Sequence, residues 1–243
     1  MNRSLVVRRT MDRVGSRTVL LQRRAMDWAT LGATSRHRDT IAMSALAALD
    51  VGYVPWSSMA MRPVGLLTVL NDIAVHGRRR VVECGGGVST MYIARLLATY
   101  GDGHLHTVEH DESWATSLRG MLHRQGLEAF CTVTLAPLEP ADSPGAWYSM
   151  AALRVLDVAD IDLLLVDGPP AYARGQSHAR EPALHHFFNR LASDCTVILD
   201  DINRRGEQEV VDRWETAFGV RFERRPMDGA IAVWRRGGSP PLA

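Results

Sequence analysis

Short apolar runs alternate with amphipathic stretches along the chain from residue 79 onward. The apolar runs are rich in Val, Ile and Leu with little polar alternation, which is typical of strands covered on both faces. They are residues 80–84, 105–109, 131–135, 161–166, 195–199, 220–224 and 230–234. Stretches with helical periodicity lie between them, at residues 89–100, 112–125, 149–156, 181–191 and 206–218. The alternation predicts an α/β fold with a doubly wound, mostly parallel seven-stranded sheet, whose last two strands pair antiparallel at one edge.

The first 78 residues have a different pattern. Three amphipathic stretches are separated by connecting segments, at residues 18–30, 39–49 and 63–76. A turn-rich segment at residues 52–58 carries two aromatic side chains, Tyr53 and Trp56. Helices and connections without strand-like runs indicate a helical extension ahead of the sheet.

These patterns predict three parts of the chain. Residues 1–62 form a helical N-terminal extension, residues 63–236 form the α/β domain, and residues 237–243 form a loose tail. We expect the extension to cover a ligand site or to form a homodimer contact through its helices. The segment that carries Trp56 would then fold over the bound ligand.

The composition is that of a soluble globular protein, with 46% hydrophobic residues and a formal net charge of +1. All 28 basic residues are arginine, which excludes lysine Schiff-base chemistry and the P-loop lysine of nucleoside triphosphatases. Residues 1–40 hold nine arginines against three aspartates. Aromatic residues do not alternate with these arginines as they do in base-stacking segments, so nucleic acid is not the expected partner.

The cysteines indicate the compartment. Cys84, Cys131 and Cys195 form no CxxC pair, so we expect reduced, buried thiols in a cytoplasmic protein. No apolar run approaches the roughly 20 residues that span a bilayer. The basic start has no apolar stretch behind it, so neither a membrane anchor nor a secretory signal is expected.

A glycine-rich turn follows the first predicted strand. Residues 79–90 read RRVVECGGGVST, so three glycines separate the strand from the helix that begins near Ser89. Glycines in such a turn let a ligand approach the backbone. A dinucleotide fingerprint would need GxGxxG, but the sixth position here is Thr90. Glu83, just ahead of the turn, would repel a pyrophosphate and suits a ligand with a positive ammonium or sulfonium.

A second acid lies at the end of the second predicted strand. Glu109 can accept two hydrogen bonds from the hydroxyls of a nucleoside ribose. One acid for a cation and one for a ribose point to S-adenosylmethionine as the cofactor. The alternative is that Glu109 and Asp111 only cap a helix and carry surface charge.

The sequence resembles the class I S-adenosylmethionine-dependent methyltransferases over roughly residues 60–236. Residues 83–90 are similar to their first motif, E/D-x-G-x-G-x-G, in the subgroup with a GxGxST turn. The stretches that resemble the subgroup's second, fourth and fifth strands are residues 107–114, 161–170 and 197–204. The resemblance implies a Rossmann-like methyltransferase sheet. It implies that Glu83 meets the methionine amino group, Gly85 and Gly87 allow the backbone approach, Glu109 binds the ribose, and His110 lies near the adenine.

The resemblance also assigns cofactor contacts to the rest of the turn, Gly86, Ser89 and Thr90, and to Asp167 on the sulfonium side. One departure is Ala136, which follows the third strand where an acidic residue often holds the adenine amine. Backbone groups would take over that contact.

Three carboxylates end the fourth and fifth predicted strands, Asp167, Asp200 and Asp201. They should point into one crevice, where clustered negative charges attract a cation. The arrangement is similar to metal-dependent O-methyltransferases, which implies a Mg²⁺ site and catalytic roles for Asp167 and Asp201. The alternative is that Asp201 pairs with Arg204 and no metal binds. The Gly-Pro-Pro that follows Asp167 departs from the metal-dependent families.

A general base is the other route to an activated acceptor. His178 lies in the loop of residues 171–180 and is the first candidate. Trp147 and Tyr148 would line an acceptor pocket. The predicted reaction is methyl transfer from S-adenosylmethionine to an oxygen, or secondarily a nitrogen, of a small molecule. The alternatives are a non-methylating use of the cofactor, such as cyclisation that releases methylthioadenosine, and a non-catalytic scaffold.

Overall fold

A computed structural model of the chain describes residues 35–141 and 145–237. The helix predicted at residues 18–30, most of the arginine-rich start, and the predicted tail except residue 237 lie outside the described residues. The strands are β1 (Arg80–Cys84), β2 (His104–Glu109), β3 (Cys131–Leu135), β4 (Leu138–Pro140), β5 (Ala146–Tyr148), β6 (Ile161–Val166), β7 (Leu191–Leu199), β8 (Glu223–Arg225) and β9 (Ile231–Arg236).

Seven of these strands form one sheet, in the order β3-β2-β1-β6-β7-β9-β8. The strands from β3 to β7 in that order are parallel, and β9 pairs antiparallel with both β7 and β8. The strand order reverses direction between β1 and β6, which is where open α/β sheets bind ligands. The predicted doubly wound sheet with an antiparallel edge is confirmed.

Helices cover both faces of the sheet. The first, α1, spans residues 35–46. The others are α2 (Pro63–His76), α3 (Val88–Tyr100), α4 (Glu112–Arg124), α5 (Met150–Val155), α6 (Pro182–Phe187) and α7 (Arg205–Phe218). The strands contribute alternate residues to two cores, so that Val81 packs with the α2, α3 and α4 side and Val82 with the α5, α6 and α7 side.

The segment before α2 packs on the first of these cores. Leu46, Val51 and Met61 are buried together with residues of α2 and α3. Asp39 of α1 accepts a hydrogen bond from Arg62, with the guanidinium Nη2 2.7 Å from its Oδ2. Residues 35–62 are therefore held against the α/β core by both apolar contacts and an ion pair.

Several elements differ from the sequence-based boundaries. β7 begins at Leu191 instead of residue 195, and β8 is displaced to Glu223–Arg225. The helix expected at residues 181–191 is α6 followed by a 3₁₀ turn, Phe188–Arg190. The β4–β5 hairpin was not predicted, because strands of three residues are too short to show an alternation.

The parallel strands bring their carboxyl ends to one edge of the sheet. Cys84 at the end of β1 pairs with Val108 of β2 and with Val166 of β6, and Val166 pairs with Leu199 of β7. The residues that follow these strands therefore meet at this edge. Within the two described ranges, no helix combines the length and the apolar character needed to cross a membrane.

Candidate functional site

The glycine turn lies between β1 and α3. It contacts the end of β2 and the segment that follows β6. The Gly85 N–H donates to the Val108 carbonyl at 2.8 Å. Gly85 has φ +88°, and a Cβ there would lie 2.8 Å from the backbone nitrogen of Gly168. Gly87 is different, because its φ of −173° is extended backbone and a Cβ would meet nothing within 4 Å. The close approach at Gly85 requires glycine, while Gly87 leaves open space next to the turn.

Glu83 lies beneath the turn and not in the cavity. It is fully buried, and its carboxylate accepts hydrogen bonds from the hydroxyls of Ser89 at 2.5 Å, Thr90 at 2.5 Å and Thr107 at 2.8 Å. Burial raises the pKa of Glu83 to about 7, against the lowering effect of the three hydroxyls. The expected direct contact between Glu83 and a methionine amino group does not fit this geometry, because the carboxylate is enclosed by its own hydroxyl donors.

Glu109 at the end of β2 ties the glycine turn to its neighbours. Its carboxylate accepts backbone N–H groups from Gly86 at 3.0 Å, His110 at 2.7 Å and Asp111 at 2.8 Å, and lies 2.8 Å from the His110 Nδ1. Burial raises the pKa of Glu109, but the hydrogen bonds to the ionised form outweigh it, and the pKa lies below its ordinary value. The same contact raises the pKa of His110. Glu109 is therefore a fixed negative charge.

A cavity of about 320 Å³ opens above the turn and the strand ends. Its lining includes four acids and two bases, which are Glu109, Asp111, Asp167 and Asp201 with His110 and Arg180. An adjoining cavity of about 320 Å³ shares Gly86 and Gly87 and is bordered by the segment of Met59 and Ala60. The two volumes share the glycine turn as a wall and together fall within the size of small-molecule sites.

Of the predicted cofactor residues, most line this cavity and two do not. The three glycines, Ser89, Glu109, His110 and Asp167 are part of the wall. Glu83 and Thr90 are not, since each is fully buried in the hydrogen bonds described above. The segment near Trp56 contributes through Met59, Ala60 and Met61, while the Trp56 ring packs edge-on against Tyr92 with centroids 6.3 Å apart.

Among the wall residues that were assigned no cofactor contact from the sequence are three with aromatic rings. Trp114 donates its indole Nε1–H to the Gly86 carbonyl at 2.7 Å and borders both cavities. Tyr148 is buried, and its hydroxyl has no hydrogen-bond partner among the described residues. Tyr172 is two-thirds exposed at the mouth. The sequence did carry a signal for Trp114. This aromatic residue lies in the first turn of α4, which begins directly after Asp111, and from there it faces back toward the glycine turn.

The three aspartates at the ends of β6 and β7 come together as predicted. One carboxylate oxygen from each of Asp167, Asp200 and Asp201 lies within 4.8 Å of the others. Burial raises the pKa of Asp167 to about 7, and its negative neighbours raise it further while Arg180 lowers it. Burial also raises the pKa of Asp200 well above its ordinary value. Asp201 is the most exposed of the three side chains, at 23%.

Two arginines accompany these carboxylates. Arg180 is 3% exposed, and its Nη2 lies 3.0 Å from the Asp201 Oδ2 and 3.3 Å from the Asp167 Oδ1. Arg204 lies 2.9 Å from the same Asp201 oxygen but is one-third exposed. The expected pairing of Asp201 with Arg204 is present.

His178 is not part of the cavity wall. Its Nε2 lies 2.7 Å from the Glu209 carboxylate on α7, and its Nδ1 is buried without a partner among the described residues. This geometry gives no support to His178 as the acceptor's general base. A larger cavity of about 680 Å³ is lined by residues of the β4–β5 hairpin and shares Tyr148, but none of the strand-end carboxylates line it.

Residues 82–202 match a family model described as a methyltransferase domain. No curated protein sequence matches the chain. Among solved structures, the SAH-bound methyltransferase PaMTH1 from Podospora anserina is similar at TM-score 0.55 and 12% identity, over 84% of this chain and 88% of that one. The O-methyltransferase TomG from Streptomyces achromogenes, in complex with SAM, has TM-score 0.50 and 19% identity over 82% and 90%. An O-methyltransferase from Bacillus cereus in complex with SAH has TM-score 0.50 and 16% identity over 82% and 91%.

These structural likenesses, at 12–19% identity, support the fold alone. The family model covers β1 from Val82, the glycine turn, Glu109, the β6 end and both β7 aspartates. The chain therefore belongs to the class I S-adenosylmethionine-dependent methyltransferases.

Proposed function

We propose that this enzyme transfers the methyl group of S-adenosylmethionine to an oxygen atom of a small-molecule acceptor. The observation that carries the proposal is the acid-lined cavity above the glycine turn at the carboxyl ends of β1, β2 and β6. A cofactor with a sulfonium and an ammonium is positively charged where these acids lie. Two solved structures of the same fold, from Streptomyces achromogenes and Bacillus cereus, are named O-methyltransferases.

The proposed cofactor position follows from the charges and the open backbone. Glu109 would accept the ribose hydroxyls, and the bare backbone at Gly87 would let the cofactor pass close to the turn. Asp167 lines the cavity next to Gly85 and Gly168 and would face the amino group and the sulfonium. Trp114 and Met61 supply apolar walls for the nucleoside.

The acceptor would enter at the mouth that Met59, Pro170 and Tyr172 border. Asp201 is the carboxylate that an acceptor hydroxyl would reach, since it lines the cavity and is the most exposed of the three. In the transfer, a bond forms between the acceptor oxygen and the methyl carbon. The bond from that carbon to sulfur breaks, its electron pair stays on sulfur, and the hydroxyl proton passes to Asp201 or to water.

Two further proposals concern the organisation of the protein. We propose the boundary at residue 62 and a homodimer contact through the N-terminal helices, which the exposed Ile41 and Met43 of α1 support. We also propose a cytoplasmic location, supported by the free, buried thiols of all three cysteines. Light scattering at several protein concentrations tests the dimer.

Calorimetry with S-adenosylhomocysteine tests the cofactor site, in the wild type and in Glu109→Gln. The matched control is Glu112→Gln, which removes the same charge from an exposed position on α4 outside the cavity lining. We expect Glu109→Gln to weaken binding at least about tenfold and Glu112→Gln to leave it unchanged. Equal affinities in both variants, or no binding to the wild type, would contradict the proposal.

Mass spectrometry of the products tests the reaction. Hydroxyl-bearing acceptors incubated with S-adenosylmethionine should gain one methyl group, with S-adenosylhomocysteine as the second product. Release of methylthioadenosine would identify a non-methylating reaction instead.

A further inference from the structure

The carboxylates of Asp167, Asp200 and Asp201 have the composition of a divalent cation site. Their oxygens lie within 4.8 Å of one another, and clustered carboxylates are what Mg²⁺ coordinates in proteins. Such a site needs open coordination positions between the oxygens. The side chain that lies between them decides whether a cation fits.

Arg180 occupies that position. Its Nη2 contacts the Asp201 Oδ2 at 3.0 Å and the Asp167 Oδ1 at 3.3 Å. The Arg180 side chain is 4% exposed, so its charge is not screened by solvent as a surface arginine's would be. A fixed positive charge already lies between two of the three carboxylates.

Backbone carbonyls hold the same guanidinium in place. Its three nitrogens donate to the carbonyls of Asp167 at 2.6 Å, Asp200 at 3.2 Å and Pro169 at 3.3 Å. The Asp167 and Asp200 carbonyls follow directly after β6 and β7, so Arg180 joins the two strands that the aspartates follow. Moving the side chain would leave buried carbonyls without a donor, which is costly.

A divalent cation does not fit beside this guanidinium. A metal bound to the Asp201 Oδ2 would lie at about 2.1 Å from that oxygen and hence within about 5 Å of Nη2. Two like charges at that distance in a buried site repel strongly. Arg204 adds a second positive charge at 2.9 Å from the same oxygen.

We infer that Arg180 is the built-in cation of this methyltransferase, so that the Asp167, Asp200 and Asp201 cluster binds no divalent metal and the enzyme works without one. This inference rests on the proposed function for its catalytic meaning. Arg180 is a positioning residue, since it acts through the carboxylates that it holds. It balances part of their charge and fixes Asp201 toward the cavity, which is the role a metal would otherwise fill.

Electron paramagnetic resonance of Mn²⁺ tests the inference on the wild-type protein, without any need for turnover. We expect the free Mn²⁺ signal to be unchanged by the protein up to about 1 mM metal, the weak end of protein sites. We also expect chelation by EDTA to leave S-adenosylhomocysteine affinity unchanged. One Mn²⁺ bound per chain below that concentration, and lost in Asp201→Asn, would overturn the inference.

Arg180→Met supplies the converse result. The variant keeps an unbranched side chain but removes the charge, so the carboxylates should gain Mn²⁺ binding at least about tenfold tighter than the wild type. Arg204→Met is the matched control, because it removes an exposed guanidinium that touches Asp201 but no strand-end carbonyl, and it should not gain binding. A folded Arg180→Met that gains no metal contradicts the inference. If circular dichroism shows that this variant does not fold, the wild-type titration decides alone.

The two binding measurements distinguish a failure of this inference from a failure of the proposed function. Nucleoside binding without Mn²⁺ binding supports both. Absence of both kinds of binding overturns the cofactor site while leaving the charge argument intact, and Mn²⁺ binding with nucleoside binding overturns only the role of Arg180.

Discussion

Gly85→Ala and Gly87→Ala place the same methyl group two residues apart in one turn, with different expected results. At Gly85 the new Cβ would lie 2.8 Å from the Gly168 nitrogen and 2.9 Å from its Cα, both backbone atoms that cannot rotate away. The residue would also be held at φ +88°, which costs a non-glycine residue about 1–3 kcal/mol. Overpacking adds about 1–3 kcal/mol. Both contributions arise from one added methyl group and overlap, so we expect a total loss of about 3 kcal/mol, in the lower part of the summed range of about 2–6 kcal/mol.

At Gly87 the methyl group meets nothing and the backbone is extended. Alanine is a weaker N-cap than glycine, so the expected loss is below about 1 kcal/mol. Because the methyl group would project beside the cavity, nucleoside binding should weaken although the fold is intact.

Urea unfolding and thermal melting measure both stabilities, and calorimetry measures S-adenosylhomocysteine affinity. A loss of about 3 kcal/mol in Gly85→Ala corresponds to a melting temperature roughly 6–12 °C lower for a chain of this size. Gly87→Ala should melt within about 4 °C of the wild type and bind the nucleoside more weakly. Equal stability losses in the two variants would refute the packing argument, and unchanged affinity in Gly87→Ala would refute the proposed cofactor path.

Three other substitutions have defined outcomes. Burial raises the pKa of Glu83 from 4.5 to about 7, so between these pH values the native state binds the Glu83 proton more tightly than the unfolded state does. The stability that this proton contributes is therefore lost as pH rises from 4.5 to 7. The unfolding free energy of the wild type minus that of Glu83→Gln should therefore fall by about 3 kcal/mol over this window, and a flat difference in urea titrations would contradict it. Trp114→Phe removes the hydrogen bond to the Gly86 carbonyl and should cost about 1 kcal/mol together with nucleoside affinity, whereas Trp56→Phe, which has no such bond, serves as the control in the same calorimetry. Tyr148→Phe removes a buried hydroxyl that lacks a partner among the described residues, so the free protein should be as stable or more stable in thermal melts; a large destabilisation would show that the hydroxyl is hydrogen-bonded.

The fold was predictable because its strands are covered on both faces and read as uninterrupted apolar runs. β1, β3 and β6 begin and end at the residues expected from the sequence. The sequence-based predictions of strands were wrong where the local pattern is weak. The β4–β5 hairpin has only three residues in each strand, and β7 starts earlier than expected because Ala192, Ser193 and Asp194 interrupt its apolar pattern.

The site was predictable to the extent that parallel strands end at one edge. This rule places Glu109, Asp167 and Asp201 in one cavity wall. It does not say which face a residue near the strand end points to, and it misplaced Glu83. Arg180 lies thirteen residues beyond Asp167 in the chain, on a loop whose path no local pattern defines. Its place between the carboxylates depends on tertiary contacts alone.

The two acids first expected to bind the same cofactor are in opposite electrostatic states. Glu83 shares a strand face with Val81 and so points under α3, where burial favours its neutral form. Glu109 ends its strand, and backbone N–H groups with His110 favour its charged form. Glu109 lines the cavity as an ionised acid, while Glu83 holds the first turn of α3 through Ser89 and Thr90. Environments that shift the pKa values of two acids in opposite directions give the acids different roles. Here the difference follows from the side of β1 to which Glu83 points.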